Sequence, residues 1–259
     1  MGSKFSLIPL TVFILASSLL LGACSMGGED RAASADKDAV EDCSICDWWP
    51  LDLGDRKRFR VQSKRLGSGV VEQQILERIK VGGKDCYRLR ARHVYDEGAQ
   101  GIEELYLYPG NGSMEIRARM TSAGCFGRYD PAMTVLALPL DEDSQWQGKS
   151  SLDEKTKDGS KKSPIELQWE GGVIGFEDLS TPAGRFTSCA KVVNTVDGDY
   201  RTCEWFARDY GIVRREIHHK GELQVVQELI RAWSEDTAAP GAPAAPAAPA
   251  APAAPAAME

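Results

Sequence analysis

An alternation of apolar and polar residues runs through the middle of the chain and restricts its fold more than any other feature of the sequence. Residues 87–92 read Tyr-Arg-Leu-Arg-Ala-Arg. The same period of two recurs in residues 114–121, Met-Glu-Ile-Arg-Ala-Arg-Met-Thr, and in residues 165–170, Ile-Glu-Leu-Gln-Trp-Glu. Because successive side chains of a β-strand point to opposite faces, this alternation predicts antiparallel strands that bury one face.

Turn signals separate the alternating segments. They are Gly82-Gly83-Lys84, Pro109-Gly110-Asn111-Gly112, Asp197-Gly198 and Lys220-Gly221, and each favours a hairpin. Residues 222–233 fit either a last strand or a short terminal helix, and the charged residues 149–162 are typical of a long exposed loop. We therefore expect an all-β domain, a single antiparallel, strongly curved sheet of roughly ten strands that forms a half-barrel or a barrel-like structure.

The N-terminus has the form of a secretory signal peptide. Lys4 precedes the almost entirely apolar residues 5–21, and the chain continues through Gly22 and Ala23 to Cys24. The ending Leu-Gly-Ala-Cys resembles the lipobox of bacterial lipoproteins, whose usual order is Leu-Ala-Gly-Cys. This resemblance implies cleavage before Cys24, a diacylglyceryl thioether on its sulfur, and an amino-terminal acyl chain such as palmitate. Two or three acyl chains would hold the protein stably on a membrane.

Two other interpretations of the N-terminus are weaker. The apolar run is near the length of a membrane-spanning helix, but the small residues before Cys24 and the polar chain after it favour cleavage. Residues 1–6 fit an N-myristoylation pattern, but cytosolic proteins do not carry a long apolar run directly after that motif. Ser25 stands where lipoproteins retained in the inner membrane carry an aspartate, so the resemblance implies transfer to the outer membrane.

Composition divides the chain into four parts. We predict a lipoprotein signal peptide at residues 1–23, a lipidated flexible tether at 24–42, a β domain at 43–236, and a disordered Ala/Pro-rich tail at 237–259. Proline at every third position of the tail opposes helix and sheet and favours an extended polyproline II chain. The tail fits a solvated low-complexity segment better than a spacer or a segment that threads the cell wall.

Six cysteines lie beyond Cys24, and the oxidising envelope favours disulfides between them. They are Cys43, Cys46, Cys86, Cys125, Cys189 and Cys203. Cys43 and Cys46 have the spacing of a redox motif, but a tether before them and helix-breaking residues after them favour a structural disulfide that joins tether to domain. Cys189 and Cys203 flank the turn at 197–198 and would bridge only across a wider loop or a bulge. We expect at least two disulfides, with 15 connectivities open.

Four short blocks resemble a family of uncharacterised bacterial envelope lipoproteins. They are Pro-Leu-Asp-Leu-Gly at 50–54, Leu-Pro-Leu-Asp-Glu-Asp-Ser-Gln-Trp at 138–146, Thr-Pro-Ala-Gly-Arg-Phe at 181–186 and Glu-Trp-Phe-Ala-Arg-Asp-Tyr-Gly-Ile-Val at 204–213. They are similar to that family's Pro-Leu-x-x-Gly-x-x-Trp, Pro-Ala-Gly-x-Phe and Trp-Tyr-Ala-x-x-x-Gly-Leu-Val, although Lys57 replaces the tryptophan of the first block. The resemblance implies an antiparallel β domain similar to the half-barrels of the lipoprotein-localisation carriers. It implies no activity and no catalytic residue.

No catalytic motif is found in the sequence. Its three histidines are His93, His218 and His219, and the last two would point to opposite faces of a strand. Gly-x-Ser-x-Gly, His-Glu-x-x-His and a phosphate-binding loop are missing, and the cysteine spacing does not fit a four-cysteine zinc site. We expect a protein that is not an enzyme and binds no cofactor or metal. A net charge of −7 argues against a nucleic-acid partner.

Five arginines form a candidate anion-binding stripe. They would share one sheet face if the two strands that carry them lie in one sheet: Arg88, Arg90, Arg92, Arg117 and Arg119. Such a stripe would bind an anionic head group or a polyanionic wall polymer. Glu103 and Glu115 would instead neutralise it as cross-strand partners, and we favour this second interpretation.

These observations predict an outer-membrane-anchored lipoprotein of the bacterial envelope, held by lipid on Cys24. Its β domain would be a binding or scaffolding module whose concave apolar face takes a lipid or another apolar ligand. The alternative is an assembly factor that binds an envelope protein and no small ligand, and an envelope enzyme is a third hypothesis. An open apolar cavity would favour the first hypothesis over the second.

Overall fold

The computed structural model describes residues 44–234, and most of them belong to β-strands. One short helix, α1 (Ile45–Trp48), precedes the strands. The strands are β1 (Arg56–Ser63), β2 (Gly67–Val81), β3 (Lys84–Tyr95), β4 (Gln100–Pro109), β5 (Ser113–Met120), β6 (Phe126–Ala137), β7 (Gln145–Lys155), β8 (Ile165–Thr181), β9 (Gly184–Val196), β10 (Tyr200–Ala207), β11 (Gly211–His219) and β12 (Glu222–Trp233).

The twelve strands close into one antiparallel barrel. Each strand pairs with its neighbours in the sequence, and β1 completes the circle by pairing with β12. In that closing pair Arg56 lies opposite Trp233, and Ser63 lies opposite Val225. The predicted all-β fold, a single strongly curved antiparallel sheet, is therefore confirmed. The barrel has twelve strands, where the sequence predicts roughly ten.

Residues 149–162 account for part of the difference between the predicted and the observed number of strands. The sequence predicts a loop here, but β7 continues to Lys155 and pairs with β8. Ser150 and Leu152 are buried while Lys149 and Asp153 are exposed. Buried and exposed residues therefore alternate with a period of two, although the segment is mostly polar. Residues 222–233, for which a helix was the alternative, form β12.

The predicted turns all connect neighbouring strands. The turn at Gly82-Gly83 joins β2 to β3, and residues 109–112 join β4 to β5. The turns at 197–198 and 220–221 join β9 to β10 and β11 to β12. Asp197 and Lys220 take positive φ angles of 51° each, which is the conformation that tight hairpin turns require. The sequence therefore predicts these hairpins correctly.

Residues 45–51 cover the end of the barrel at which β1 begins, and we call them the plug. Ile45, Trp49 and Leu51 are buried in the core. The Trp49 ring packs on Phe206 of β10 with ring centroids 5.5 Å apart. The backbone N–H of Asp209, in the next turn, donates a 2.6 Å hydrogen bond to the carbonyl of residue 47. The plug therefore closes the barrel and belongs to its hydrophobic core.

No disulfide is formed among the cysteines of residues 44–234, so the prediction of at least two disulfides is not confirmed. Cys46, Cys86, Cys125, Cys189 and Cys203 are all free thiols. Cys203 lies opposite Val193 in the pairing of β10 with β9. Cys189 is therefore displaced by four residues along β9, or about 13 Å at the rise of a β-strand, which is too far for a disulfide. The Cys43–Cys46 pairing involves residue 43, which lies outside the described residues.

Candidate functional site

The inside of the barrel is only partly filled. Its two main cavities among residues 44–234 have volumes of about 80 Å³ and about 50 Å³. Leu105, Arg119 and Arg215 line both of them, so the two cavities adjoin. We call the larger one the apolar compartment and the smaller one the polar compartment. Barrel interiors of this kind are common ligand sites.

Aromatic and aliphatic side chains form much of the wall of the apolar compartment. They include Trp49, Ile116, Tyr129, Met133, Val135, Trp169, Val196 and Ile217. Trp169 is 7% exposed, and its indole N–H has no hydrogen-bond partner among residues 44–234. A buried donor without a partner costs free energy. At the edge of a cavity, that donor is available to an acceptor on a bound molecule.

A close approach between β7 and β8 positions Trp169. Gly148 lies opposite Trp169 in the strand pairing, and a Cβ atom at Gly148 would lie 2.3 Å from Cζ2 of that ring. Glycine therefore leaves the space that the indole occupies. Trp146 is held in a similar way beside Gly171, and its indole donates a 3.1 Å hydrogen bond to Oδ1 of Asn194.

Polar side chains from four strands line the polar compartment. Gln73, His93, Glu103 and Gln227 come from β2, β3, β4 and β12. His93 is 8% exposed, and in the described part of the chain neither of its ring nitrogens has a hydrogen-bond partner. Its Nε2 lies 3.7 Å from Oε2 of Glu103, beyond hydrogen-bond distance. The imidazole therefore has both nitrogens available to a bound group or to water.

Burial shifts the pKa values of His93 and Glu103 in opposite directions, and each shift favours the uncharged form. It lowers the pKa of His93 to about 4, and the nearby charge of Arg215 lowers it further in the same direction. Burial raises the pKa of Glu103 to about 7, although the charges of Arg119 and Arg215 oppose that rise. Close to neutral pH, His93 is therefore uncharged and Glu103 is near the middle of its titration. Their 3.7 Å contact is accordingly not an ion pair under these conditions.

The two arginines between the compartments are paired with buried carboxylates. Arg215 Nε donates a 2.6 Å hydrogen bond to Glu204 Oε1, and Arg119 Nη2 donates a 2.8 Å hydrogen bond to Glu154 Oε1. Burial raises the pKa of Glu154, but the hydrogen bonds and charges of Arg119 and Lys162 outweigh it and lower the pKa overall. These pairs keep the charge of the interior wall nearly balanced. The polar compartment therefore offers hydrogen-bonding groups with little net charge.

The predicted arginine stripe is divided between the two sides of the barrel. Arg88 and Arg90 lie on the outside, where Arg88 pairs with Glu77 at 2.8 Å and Arg90 pairs with Glu104 at 2.8 Å. Arg117 pairs with Glu115 at 3.0 Å. Carboxylates thus neutralise Arg88, Arg90 and Arg117, although Glu115 does so from the same strand, β5, and not as the cross-strand partner that the sequence predicts. Glu103 instead lines the interior.

Arg119 is the exception, and its position corrects the prediction of one shared face. It lines both interior compartments and is 4% exposed. β5 pairs with β4 and with β6, and the register shifts in both pairings. In the β4 pairing the shift lies between Tyr106 and Leu107, and in the β6 pairing it lies between Ile116 and Ala118. An extra residue at such a bulge reverses the alternation of faces. Arg117 and Arg119 therefore point to opposite sides although they are two residues apart. Arg92 is exposed on β3.

Several interior residues escape sequence analysis. The sequence marks His93 only as one of three histidines and Trp169 only as an apolar position of a predicted strand, and it gives no indication for Arg215. A signal does exist: His93 occupies an inward position in the series that begins with Leu89 and Ala91. A polar residue at an apolar position of the alternation indicates a polar spot inside a barrel. The lipidation site Cys24, the tether and the tail lie outside the described residues.

Two solved structures are similar to this chain at low sequence identity. No protein-family model matches the chain. No curated protein matches it either. A solved structure of a candidate lipoprotein from Parabacteroides distasonis ATCC 8503 is similar, with 17% identity, a TM-score of 0.47, and coverage of 74% of this chain and 100% of the other. A candidate exported protein with a YmcC-like fold from Bacteroides fragilis NCTC 9343 is also similar, with 18% identity, a TM-score of 0.47 and the same coverage.

Within residues 44–234, no helix has the length and apolar character that crossing a membrane requires.

Proposed function

We propose that this chain is a lipid-anchored protein of the bacterial outer membrane whose barrel binds a small amphipathic ligand. The observation that carries the ligand-binding part is the hollow interior, in which an apolar and a polar compartment adjoin. The anchoring part rests on the apolar residues 5–21 and the small residues before Cys24. The role is that of a binding protein rather than an enzyme.

The volume of the apolar compartment limits the size of the ligand. A dry apolar cavity of about 150 Å³ accommodates one benzene molecule, so the apolar compartment, at about 80 Å³, is too small for an aromatic ring. A single short alkyl chain fits this space. A phospholipid with two long acyl chains does not, so the ligand is smaller than the lipid that the sequence suggests.

The polar compartment determines the polar end of the ligand. His93 has two nitrogens without partners, Gln73 and Gln227 add donors and acceptors, and Glu103 changes protonation close to neutral pH. An uncharged group such as a hydroxyl or an amide satisfies these side chains without bringing a second charge beside Glu103. We therefore expect neutral amphiphiles to bind more tightly than anionic ones of the same chain length above the pKa of Glu103.

Calorimetric titration of the tag-free β domain, residues 43–236, with 1-hexanol and with hexanoate tests this proposal. Hexanol should bind, and its advantage over hexanoate should grow as the pH rises past about 7. Val196→Phe fills the apolar compartment and should abolish binding. Ile174→Phe adds the same ring at a position that is 53% exposed and should leave binding unchanged. Equal binding by both variants would refute an interior site.

Native mass spectrometry of detergent-free protein provides a second measurement. A co-purified molecule of the size of a short amphiphile would support the proposal. A domain that carries nothing, binds no hexanol and captures one stoichiometric envelope protein in a pull-down would favour the assembly role instead.

The anchor has its own test. Mass spectrometry of the mature N-terminal peptide should show residue 24 as the first residue, with the mass of a diacylglyceryl group and an acyl chain. Cys24→Ser should remove both the cleavage and the added mass. Separation of inner and outer membranes on a density gradient would then locate the wild-type protein. Recovery in the inner membrane would contradict the outer-membrane assignment.

A further inference from the structure

A cysteine, a glutamate and a histidine meet on the outside of the barrel, away from the interior compartments. Cys203 comes from β10, and Glu216 and His218 come from β11. One ligand atom from each lies within 4.8 Å of the other two. We propose that these three residues bind a divalent transition-metal ion of the zinc type.

Strand pairing explains why the three side chains are close together. Cys203 lies directly opposite Glu216 in the pairing of β10 with β11. His218 follows Glu216 by two residues, so its side chain leaves the strand on the same face. The neighbouring pair, Glu204 and Arg215, points into the barrel instead. The sheet itself therefore separates this cluster from the interior compartments.

The carboxylate of Glu216 is already oriented for such a role. Its Oε1 accepts a 2.6 Å hydrogen bond from Nη2 of Arg214. Its Oε2 lies 3.4 Å from Nε2 of His218, so the second oxygen faces the imidazole. Positioning of a metal ligand by a partner outside the coordination sphere is typical of metal sites. Arg214 would therefore be a positioning residue, and Glu216, Cys203 and His218 the ligands.

The ligand set selects the class of ion. A thiolate, an imidazole and a carboxylate together suit Zn²⁺ or Co²⁺, whereas Mg²⁺ and Ca²⁺ prefer oxygen ligands alone. The thiolate and carboxylate balance the two charges of the ion. Three protein ligands leave the fourth position of a tetrahedron to water. Binding must remove the proton from Cys203, because the thiolate is the form that ligates a metal.

Basic neighbours oppose a cation here, and most of them are occupied by acidic partners. Lys191 lies 3.5 Å from Glu177 and over the ring of Trp205, and Arg214 is held by Glu216. Burial raises the pKa of Cys203, while the charges of Arg201 and Lys191 lower it and the charge of Glu216 raises it. Arg201 also hydrogen-bonds with the Cys203 side chain, so it is the group that must move aside. We expect Arg201→Gln to tighten metal binding.

Titration with Co²⁺ and then Zn²⁺ tests the site. The full mature chain, without a histidine tag, is reduced, stripped with chelator and kept in detergent. Co²⁺ should produce the near-ultraviolet absorption of a cobalt–thiolate bond, and Zn²⁺ should abolish it. Cys203→Ser should remove that absorption, and Glu216→Gln and His218→Gln should each weaken Zn²⁺ binding by about ten-fold or more. Circular dichroism establishes that each variant is folded.

Two substitutions serve as matched controls. Cys189→Ser removes a second buried thiol from the adjacent strand, and His219→Gln removes the histidine that stacks on Tyr200 instead. Both should bind Co²⁺ as the wild type does. Absence of a cobalt–thiolate band from the wild type, or its loss in Cys189→Ser but not in Cys203→Ser, would overturn the proposal. If Cys203→Ser does not fold, unchanged Zn²⁺ affinity in both Glu216→Gln and His218→Gln would overturn it equally.

Discussion

At the scale of single residues, His93 and Glu103 act as an opposed pair inside the barrel. The pKa of His93 falls from 6.5 to about 4, so His93 contributes stability that is present above pH 6.5 and is lost as the pH falls toward 4. The pKa of Glu103 rises from 4.5 to about 7, so its contribution is present below pH 4.5 and is lost as the pH rises through 7. Between pH 4.5 and 6.5 the two contributions to the free energy of unfolding change in opposite directions with pH and cancel.

Replacement of His93 should reveal how Glu103 makes the free energy of unfolding depend on pH. In His93→Gln, the free energy of unfolding relative to wild type should fall as the pH rises from 4.5 to 6.5, by about 1.4 kcal/mol per pH unit. Urea denaturation at several pH values in that interval measures it. A profile parallel to that of the wild type would show that His93 is not held neutral by burial.

Replacement of Glu103 should have the opposite effect. In Glu103→Gln, the free energy of unfolding relative to wild type should rise between pH 4.5 and 6.5, because only the contribution of His93 remains. Above pH 7 this variant should be more stable than the wild type, since a buried carboxylate is removed. The same denaturation series tests it, with Glu115→Gln on the outer surface as control. A variant less stable than wild type at high pH would contradict the expectation.

Residue-level prediction from sequence succeeds where local chemistry decides and fails where burial decides. The sequence predicts Glu115 as a neutralising partner of the arginines, and Glu115 does pair with Arg117 at 3.0 Å, but within β5 and not across strands. The inward position of Arg119 depends on a bulge in β5, and a bulge has no clear signature in one sequence. The protonation of His93 depends on its surroundings from several strands, which no local pattern contains.

At the scale of elements, β7 and β8 show how a glycine determines the wall of the cavity. Gly148→Ala would place a Cβ atom 2.3 Å from the Trp169 ring, so the indole must shift. We expect a loss of about 1–3 kcal/mol in the free energy of unfolding and a changed tryptophan emission spectrum. Gly101→Ala is the control, because its nearest contact is 3.3 Å, with the Ser122 side chain. Equal effects of the two variants would contradict a special role for Gly148.

The plug is the second element with a clear energetic role. Trp49→Ala removes a ring that packs on Phe206 and lines the apolar compartment. The free energy of unfolding should fall by about 3–5 kcal/mol, measured by urea denaturation. Leu53→Ala, at a residue that is 50% exposed, should cost far less. A small effect of Trp49→Ala would indicate that the barrel closes without the plug.

Element prediction from sequence depends on how visible the alternation is. β3, β5 and the start of β8 have clear alternation, and the sequence predicts them as strands. β7 was expected to be part of a loop because lysine, aspartate and serine dominate residues 149–155. Its buried positions within 149–155 are Ser150, Leu152 and Glu154, and only one of these side chains is apolar, so the apolar signal is weak.

At the scale of the whole molecule, the sheet curvature is predictable from the sequence but the closure is not. Alternating strands joined by tight turns indicate an antiparallel meander. Closure depends on the pairing of β1 with β12, the first and last strands of the described barrel, and no local pattern specifies it. The hollow interior is also a property of the whole barrel, since it depends on how twelve inner faces fit together.

The closing pair has a practical consequence for protein engineering. Arg56 and Trp233 are direct partners in the β1–β12 pairing, so the two ends of the barrel sequence lie side by side. A short peptide could join them, and new termini could then be placed in another hairpin turn without loss of any strand pair. Reporters attached next to Arg56 and Trp233 would likewise be close enough to report energy transfer whenever the barrel is intact and to lose it when β1 and β12 separate.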